Sequence, residues 1–381
     1  MKLNFKIGEE WKELKKFEKL TIEEKSVVFY AENKASMNHF YQLILELTQK
    51  YNISICYITS VKNDKILTEK NENIKAFFIG CGIARTKFFI SLKAKILIMD
   101  MPDLDIFQIK RSKVFPVHYV YIFHSMFSIH SYLRKKALDN FDTIFCVGEH
   151  HEKEIRITEK IYKLKQKQLV KYGFGRLDTL LNERKKAVNS KDDKNLIIIT
   201  PSYGKDNLLE ICGIELIDIL LKANFKILLR PHFRILRDSP KLIESIQKKF
   251  RDEPNFIFEE GVIPQNQFHN SKCLISDWSG ISFEYAFVFE HPVIFIDVPK
   301  KVLNPDSGEI GLEPIESSLR NKVGHIIQPK NLKDIVNIIN HIDENGEMNE
   351  QIKKIRAQTV FNIGESGKIG AKAIIEILEQ D

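Results

Sequence analysis

The chain has 381 residues, more than one hydrophobic core usually serves, which indicates two domains of roughly 150 to 200 residues each. Lys and Arg total 58 against 51 Asp and Glu, so the formal net charge is only +7, and the excess is spread over mixed-charge segments. This charge is too weak and too dispersed to indicate a nucleic-acid-binding protein, although it suits anionic ligands or an anionic membrane surface.

The cysteines and the first segment of the chain bear on its compartment. The five cysteines are far apart, mostly inside apolar runs, and without metal-ligand spacing, which favours small buried side chains in a reducing compartment. Residues 1–25 are charged throughout, and no segment is long and apolar enough to span a bilayer. We therefore predict a cytoplasmic protein, or one that lies on the inner face of the cytoplasmic membrane.

Short apolar runs alternate with helical or turn segments in the first half of the chain. Strands are predicted at 26–31, 53–59, 76–80, 95–99, 117–123 and 141–147, with a helix at 37–51. This alternation is typical of an α/β fold with a mostly parallel sheet covered by helices on both faces. Because ligands of such sheets bind beyond the carboxyl ends of the strands, the residues after each strand are the first candidates for a site.

A histidine at one of these strand ends is the best candidate for a catalytic group. His124 directly follows the predicted strand 117–123. A histidine there can accept a proton from an attacking hydroxyl near neutral pH, so we predict His124 as a general base. His118 and His130 are better explained as core histidines. The pair at 150–151 does not match the metal-binding pattern H-E-x-x-H, and the turn at 80–86 is too irregular for a dinucleotide fingerprint.

A polar, charged stretch separates the two predicted domains. Residues 182–195 lack apolar periodicity, so we place a linker there, between an N-terminal α/β domain at 1–181 and a C-terminal α/β domain at 196–381. The second domain has predicted strands at 196–199, 226–229, 256–258, 273–276 and 292–296, a helix at 208–223, and terminal helices at 331–342 and 349–379.

Two strand ends of the second domain carry groups suited to phosphate. Arg230 and His232 follow the strand 226–229, and both side chains can donate charge-assisted hydrogen bonds to phosphate oxygens. Asp277, Ser279 and Gly280 follow the strand 273–276 and precede a helix, whose N-terminal N–H groups attract anions. A simple helix cap explains Asp277 and Ser279 equally well. Since each domain has a histidine at a strand end, we expect the two domains to face a cleft that holds a nucleotide-activated donor.

Five short motifs follow one another in the region of residues 95–300. They are Phe123-His124-Ser125-Met126, Gly173-Phe174-Gly175-Arg176-Leu177-Asp178, Thr200-Pro201-Ser202-Tyr203, Arg230-Pro231-His232, and Ser276-Asp277-Trp278-Ser279-Gly280 with Phe283-Glu284-Tyr285. Their order and rough spacing resemble the CDP-glycerol glycerophosphotransferase family, which primes and polymerises teichoic-acid and related polyol-phosphate polymers. Ser125-Met126 and Gly280 depart from that family's Gly-Thr and second serine, at places where a substrate would be held. The resemblance implies two Rossmann-like doubly wound domains of the GT-B type.

The resemblance also implies roles for individual residues. It makes His124, in the acceptor-side domain, the general base. In the donor-binding domain it puts Arg230 and His232 on the phosphates of the donor, with His232 as a second catalytic group. It also puts Asp277 and Ser279 in the nucleotide site. The other residues of the motifs that it assigns to donor binding are Arg176, Pro201, Ser202, Gly280 and Glu284. The implied reaction moves a polyol phosphate from a CDP-activated donor to a hydroxyl of a lipid-linked or growing surface polysaccharide. CMP leaves, and no metal or other cofactor takes part.

Two other functions stay open at this point. A GT-B glycosyltransferase that uses a nucleotide sugar, in capsule, lipopolysaccharide or surface glycan synthesis, would use the same cleft with His124 as the base. A nucleotide-binding scaffold with a decayed site is the third hypothesis, and the presence of both histidines and Asp277 weighs against it. The basic segments 134–136 and 163–167 suit contact with an anionic membrane that carries the acceptor, and they suit solvated helix faces equally well.

Overall fold

The computed structural model describes residues 8–186, 195–261, 263, 265–300, 304–342 and 346–380. The strands in these ranges are β1 (Val27–Ala31), β2 (Ile55–Thr59), β3 (Ile74–Phe78), β4 (Ile96–Met99), β5 (His118–Ile122), β6 (Thr143–Cys146), β7 (Gln168–Lys171), β8 (Leu196–Thr200), β9 (Lys226–Leu229), β10 (Phe256–Phe258), β11 (Cys273–Ser276), β12 (Val293–Ile296) and β13 (Gly324–Ile327).

The α-helices in the same ranges are α1 (Glu9–Glu18), α2 (Ser36–Leu45), α3 (Ile83–Ser91), α4 (Ile129–Tyr132), α5 (Glu149–Tyr162), α6 (Gly175–Lys186), α7 (Ile214–Lys222), α8 (Phe233–Asp238), α9 (Pro240–Lys249), α10 (Gln265–Asn270), α11 (Ile281–Phe289), α12 (Ile315–Leu319), α13 (Ile335–His341), α14 (Glu347–Thr359) and α15 (Ser366–Gln380). A π-helical turn at Glu46–Lys50 extends α2, and a second at Leu209–Gly213 precedes α7.

Each half of the chain builds one parallel sheet. The first sheet has the strand order β3-β2-β1-β4-β5-β6-β7, and the second has the order β10-β9-β8-β11-β12-β13. Central strands such as β1 and β8 are buried at every position, because helices cover both faces of a parallel sheet. The strand order reverses between β1 and β4 and again between β8 and β11. In open α/β sheets this reversal point is where the loops diverge and ligands bind.

The chain divides into two compact units. Unit 1 comprises Met1–Thr179, Asn304–Gly311 and Thr359–Asp381, and unit 2 comprises Leu180–Leu303 and Leu312–Gln358. The sequence assigned everything after residue 195 to the second domain, whereas two later segments of the chain pack in unit 1. The expected linker at 182–195 lies partly outside the described residues, at 187–194, and its first residues continue α6.

The last helix packs in unit 1 because its glycines allow close contact with α2. A Cβ atom on Gly367 would lie 2.5 Å from the backbone oxygen of Gln42, and one on Gly370 would lie 2.7 Å from the ring of Tyr172. On the same helix, Ile374 is fully buried in the unit 1 core. This packing depends on contacts between residues far apart in sequence, which no local pattern shows.

The predicted α/β fold class is confirmed, and the two strands missed from the sequence have a common physical character. β7 and β13 are both edge strands, and edge strands are short and more polar than central ones. The helix α1 was also missed. Most of its residues are charged, and its two buried side chains, Leu14 and Phe17, are too few to show an apolar helix face in the sequence. The single helix predicted at 349–379 is two helices, α14 and α15, separated where Asn362 and Gly364 have positive φ angles.

Candidate active site

Three elements of unit 1 bring polar side chains together at the carboxyl edge of the first sheet. Ser36 begins α2 after β1, Asp100 directly follows β4, and His124 follows β5. The Ser36 hydroxyl donates a hydrogen bond of 3.0 Å to Oδ1 of Asp100, and Nδ1 of His124 lies 3.1 Å from the backbone oxygen of Asp100. The cluster therefore lies at the point where the strand order of this sheet reverses.

The hydrogen bond of His124 determines which of its nitrogens can act as a base. A backbone carbonyl oxygen only accepts hydrogen bonds, so Nδ1 carries the proton and donates it to Asp100, while Nε2 keeps its lone pair. The ring is accessible to solvent, yet enough protein surrounds it that burial lowers its pKa. The bond to Asp100 opposes this shift. His124 is thus held neutral, in the tautomer that a general base requires.

The surroundings of His124 are aromatic and mostly uncharged. The ring centroids of Tyr132 and His39 lie 5.6 Å and 6.3 Å from that of His124. Burial raises the pKa of Asp100 to about 7, and burial, together with the nearby His124 and Arg176, lowers the pKa of His39 to about 3. Arg176, which the sequence assigned to donor binding, lies half-buried in the first turn of α6.

The carboxylate of Asp277 in unit 2 holds a neighbouring loop in place. Its Oδ1 accepts a hydrogen bond of 2.6 Å from the Ser202 backbone N–H, and its Oδ2 accepts one of 3.0 Å from that of Leu208. Asp277 is almost completely buried, and burial raises its pKa while these bonds oppose the rise. Asp277 and Ser202, both predicted in the donor site, therefore meet each other, and Pro201 beside them is buried as well.

The start of α11 presents the helix terminus that the sequence predicted. Ser279 is half-buried and Gly280 is exposed, with open space where a Cβ atom on Gly280 would lie. The backbone oxygen of Ser279 accepts hydrogen bonds from the backbone N–H and the hydroxyl of Ser282. Glu284 lies half-buried in the first turn. The first N–H groups of an α-helix have no partner within the helix and attract anions.

A cluster of aromatic and cationic side chains follows β8 and β9. The rings of Tyr203 and His232 have centroids 4.5 Å apart, and the Arg234 guanidinium lies 4.4 Å from the Tyr203 centroid. Nδ1 of His232 accepts the Arg234 backbone N–H at 3.2 Å, so its proton is on Nε2 when the ring is neutral. Nε of Arg230 donates to the backbone oxygen of Gly261 at 3.0 Å. Donors for an anion are thus concentrated at this sheet edge.

The structure thus sorts the predicted residues into two groups. His124 and Arg176 lie in unit 1, and the other predicted site residues lie in unit 2. Sequence reasoning missed Asp100, His39, Tyr203 and Arg234 as parts of these clusters. Asp100 could have been noticed, because it directly follows a strand that was recognised. Tyr203 stands inside one of the quoted motifs, but its ring contact with His232 depends on the pairing of β8 with β9.

The described residues were also searched for metal sites and for membrane-spanning helices. Within the described ranges, no group of three or more His, Cys, Asp or Glu side chains is arranged to hold a metal ion. None of the helices in those ranges combines the length and the apolar character needed to cross a membrane.

Comparison with solved structures identifies the fold type. The UDP-GlcNAc 2-epimerase of Neisseria meningitidis, bound to UDP-GlcNAc, is similar with a TM-score of 0.59 at 13% identity, over 93% of this chain and 100% of that one. The wall teichoic acid polymerase TagF, in a variant with CDPG, is similar with a TM-score of 0.58 at 14% identity, over 94% of this chain and 90% of that one. A UDP-glucose:anthocyanidin 3-O-glucosyltransferase in complex with UDP has a TM-score of 0.57 at 10% identity, over 94% and 99%. At these identities the likeness shows the fold alone, which is of the GT-B type.

Comparison of sequences identifies the family. No curated protein matched the sequence. The family described as CDP-glycerol:poly(glycerophosphate) glycerophosphotransferase matches residues 14–361, which is most of the chain. The match extends the resemblance seen in the five motifs to the region before residue 95, and it confirms that resemblance. The chain is a transferase and belongs to the CDP-glycerol:poly(glycerophosphate) glycerophosphotransferase family.

Proposed function

We propose that this protein transfers glycerol phosphate from CDP-glycerol to a hydroxyl of a growing teichoic-acid-type polymer, with release of CMP. The family match over residues 14–361 supports the donor and the reaction class. The similar TagF structure is that of a wall teichoic acid polymerase with CDPG, and it supports the polymer class. The observation that carries the chemistry is the hydrogen bond from Nδ1 of His124 to the backbone oxygen of Asp100, which leaves the lone pair on Nε2 of the neutral ring.

On the acceptor side, His124 acts as the general base. Its Nε2 accepts the proton of the acceptor hydroxyl as the oxygen attacks the β-phosphate of CDP-glycerol. The new P–O bond joins glycerol phosphate to the acceptor, and the bond from that phosphorus to the oxygen of CMP breaks. The hydrogen bond from Nδ1 to the Asp100 oxygen stabilises the imidazolium ion that forms. The proton later leaves His124 for solvent, to which the ring is exposed.

On the donor side, unit 2 supplies the positive charge that the leaving CMP requires. Arg230, His232 and the N-terminus of α11 after Ser279 offer cationic or N–H donors to the phosphates. Asp277 keeps the loop after β8 in the conformation that places the Tyr203 ring against the His232 ring. Phosphoryl transfer depends mainly on positioning and on electrostatic stabilisation, so these groups are sufficient for a reaction without metal.

We further propose that the acceptor is linked to lipid and that the protein meets it at the inner face of the cytoplasmic membrane. Both basic segments singled out in the sequence contribute to one cavity of unit 1, whose lining combines Arg134, Lys135, Lys136 and the buried Lys167 with apolar side chains and with the carboxyl groups of Asp139, Glu159 and Asp306. Residues 134–136 are exposed there. A basic surface gains free energy near anionic lipid, and this gain falls with salt. Sedimentation with anionic vesicles at low and high salt tests this location, and no binding at low salt would contradict it.

The experiment for the transfer reaction follows CMP release by the full chain, with CDP-glycerol and a synthetic lipid-linked glycerol phosphate primer in the presence of a chelator. We expect His124→Ala to lower kcat by about a thousandfold, since a general base contributes on that order. Calorimetric binding of CDP-glycerol by this variant should stay close to that of the parent. The matched control is His341→Ala, which changes an exposed histidine of α13. Turnover of a UDP-sugar in place of CDP-glycerol, or full activity of His124→Ala, would contradict the proposal.

A further inference from the structure

The irregular segment that carries His124 is held by side chains of a single helix. Nε2 of His150 lies 3.0 Å from the backbone oxygen of Met126, and Nε2 of His151 lies 2.9 Å from that of Phe127. One turn further along α5, Oε2 of Glu154 accepts the backbone N–H of His130 at 3.1 Å. α5 therefore holds the backbone at two points of the segment between β5 and α4, and at a third point inside α4.

His151 holds this segment on both sides of His124. Its Nδ1 accepts the Val147 backbone N–H at 3.3 Å, so its proton is on Nε2, and it donates that proton to the Phe127 oxygen. The same ring packs against Phe123, with a centroid distance of 3.9 Å. One buried imidazole thus contacts the residue before His124 and bonds to the residue three positions after it.

Both histidines act as neutral donors. Burial lowers the pKa of His150, and it lowers that of His151 to well below the usual value for histidine. Each ring then has one N–H, and it donates this N–H to a backbone carbonyl oxygen, of Met126 for His150 and of Phe127 for His151. In α4, the backbone oxygen of His130 accepts a hydrogen bond of 2.9 Å from the Asn304 side chain. The backbone around His124 is therefore held by polar bonds as well as by packing.

We propose that His150 and His151 are positioning residues for the transfer reaction. They hold residues 123–127 in one conformation, so that His124 presents Nε2 to the acceptor hydroxyl. The inference rests on the proposed role of His124 as the general base. A displacement of about 1 Å in a reacting group can cost a hundredfold in rate, so loss of either bond is expected to affect kcat more than substrate binding.

The test compares three substitutions of His150, which is the more accessible of the two histidines. His150→Gln keeps an N–H donor at a reach similar to Nε2, His150→Asn has the same amide one methylene shorter, and His150→Leu has no donor. We expect the leucine and asparagine variants to lower kcat by about ten- to a hundredfold, with KM for CDP-glycerol changed by less than about threefold. His150→Gln should recover most of the lost kcat. The matched control is His118→Leu, at the opposite end of β5, where the histidine bonds to Thr143.

Thermal unfolding of each variant separates positioning from stability. Equal kcat values for the glutamine and asparagine variants would overturn the inference, as would a leucine variant that loses stability and keeps its kcat. If the leucine variant does not fold, the comparison of glutamine with asparagine still decides. His124→Ala distinguishes a failure of the proposed general base from a failure of the proposed positioning residues. If it keeps full activity, the proposed base is wrong; if it is inactive and His150→Leu is fully active, only the inference about His150 and His151 fails.

Discussion

Burial acts in opposite directions on the pKa values of His124 and Asp100, and the result favours catalysis. It lowers the pKa of the imidazole and raises that of the carboxyl group, because a low-dielectric environment disfavours the charged form of each. His124 is therefore mostly unprotonated near neutral pH, as a general base must be. The neighbouring His39, with a pKa of about 3, adds no positive charge to this region.

The raised pKa of Asp100 predicts a dependence of stability on pH. Its pKa is about 7 in the folded chain against 3.8 in the unfolded chain, so the folded state retains a proton that the unfolded state releases. The free energy of unfolding therefore falls as pH rises through this window. Asp100→Asn removes this loss and keeps an oxygen for the Ser36 hydroxyl. We expect it to stabilise the protein by about 1 to 3 kcal/mol at about pH 8, and by less at about pH 5.

Urea unfolding at the two pH values measures the effect of Asp100→Asn. Glu69→Gln, a neutralisation at an exposed position of unit 1, is the matched control and should change the midpoint equally little at both pH values. A gain in stability of Asp100→Asn that is the same at both pH values would show that the carboxyl group titrates normally in the folded protein.

The turn from β11 to α11 is bonded to the loops that follow two other strands of unit 2. Asp277 in this turn bonds to the loop after β8, and Trp278 beside it donates from Nε1 to the backbone oxygen of Val298, at 3.0 Å, after β12. The Arg320 guanidinium stacks over the Trp278 ring at 4.1 Å. The turn is thus tied to both neighbouring strand ends, which keeps the first N–H groups of α11 in a constant position.

Asp277→Ala is expected to loosen this arrangement. It leaves the buried backbone N–H groups of Ser202 and Leu208 without their acceptor, so we expect a loss of about 2 to 4 kcal/mol in the free energy of unfolding. CDP-glycerol should also bind more weakly, because the loop that carries Tyr203 is no longer held. Urea unfolding and calorimetry measure the two effects.

The control for Asp277→Ala is Asp252→Ala, which removes an exposed carboxylate of unit 2. It should change neither stability nor donor affinity measurably. Unchanged stability of Asp277→Ala would mean that water replaces the carboxylate without cost. Unchanged affinity together with lost stability would separate the loop from the donor site.

The last helix of the chain, α15, packs in the core of unit 1. The Asp178 carboxylate accepts backbone N–H groups from Gly364 at 2.6 Å and from Ser366 at 3.0 Å, as well as the Ser366 hydroxyl. These bonds join the start of α15 to α6, and Ile374 completes the core beside α2. The family motif that ends in Asp178 therefore has a structural role in this chain.

A pair of core substitutions tests this assignment of the last helix. Ile374→Ala and Leu220→Ala each remove a fully buried aliphatic side chain, from the unit 1 core and the unit 2 core respectively. Each should cost about 2 to 5 kcal/mol. Hydrogen exchange should become faster in β1 and α2 for Ile374→Ala, and in β8 and β9 for Leu220→Ala. Faster exchange in β8 and β9 for Ile374→Ala would contradict the placement of α15 in unit 1.

The amino-acid sequence was enough to predict the fold class, the family and the positions of most strands. Apolar runs such as Cys273–Ser276, followed by a polar turn, show their structure locally, and His124 was identified because it stands at the tip of such a run. Five motifs in a constant order were enough to recognise the family, and the match over residues 14–361 confirms it. These features depend on neighbouring residues, so they can be read along the chain.

Which of these residues meet depends on the packing of elements that are distant in the sequence. Asp277 reaches Ser202 because β8 and β11 are neighbours in the sheet, and Asp100 reaches His124 because β4 and β5 are neighbours. The helix α15 joined unit 1 although it follows the second domain in sequence. The physical reason is the same in each case. Strand order and helix packing arise because residues distant in sequence bury apolar surface against each other. The local sequence pattern shows that a surface is apolar, but it does not show which distant residues cover it.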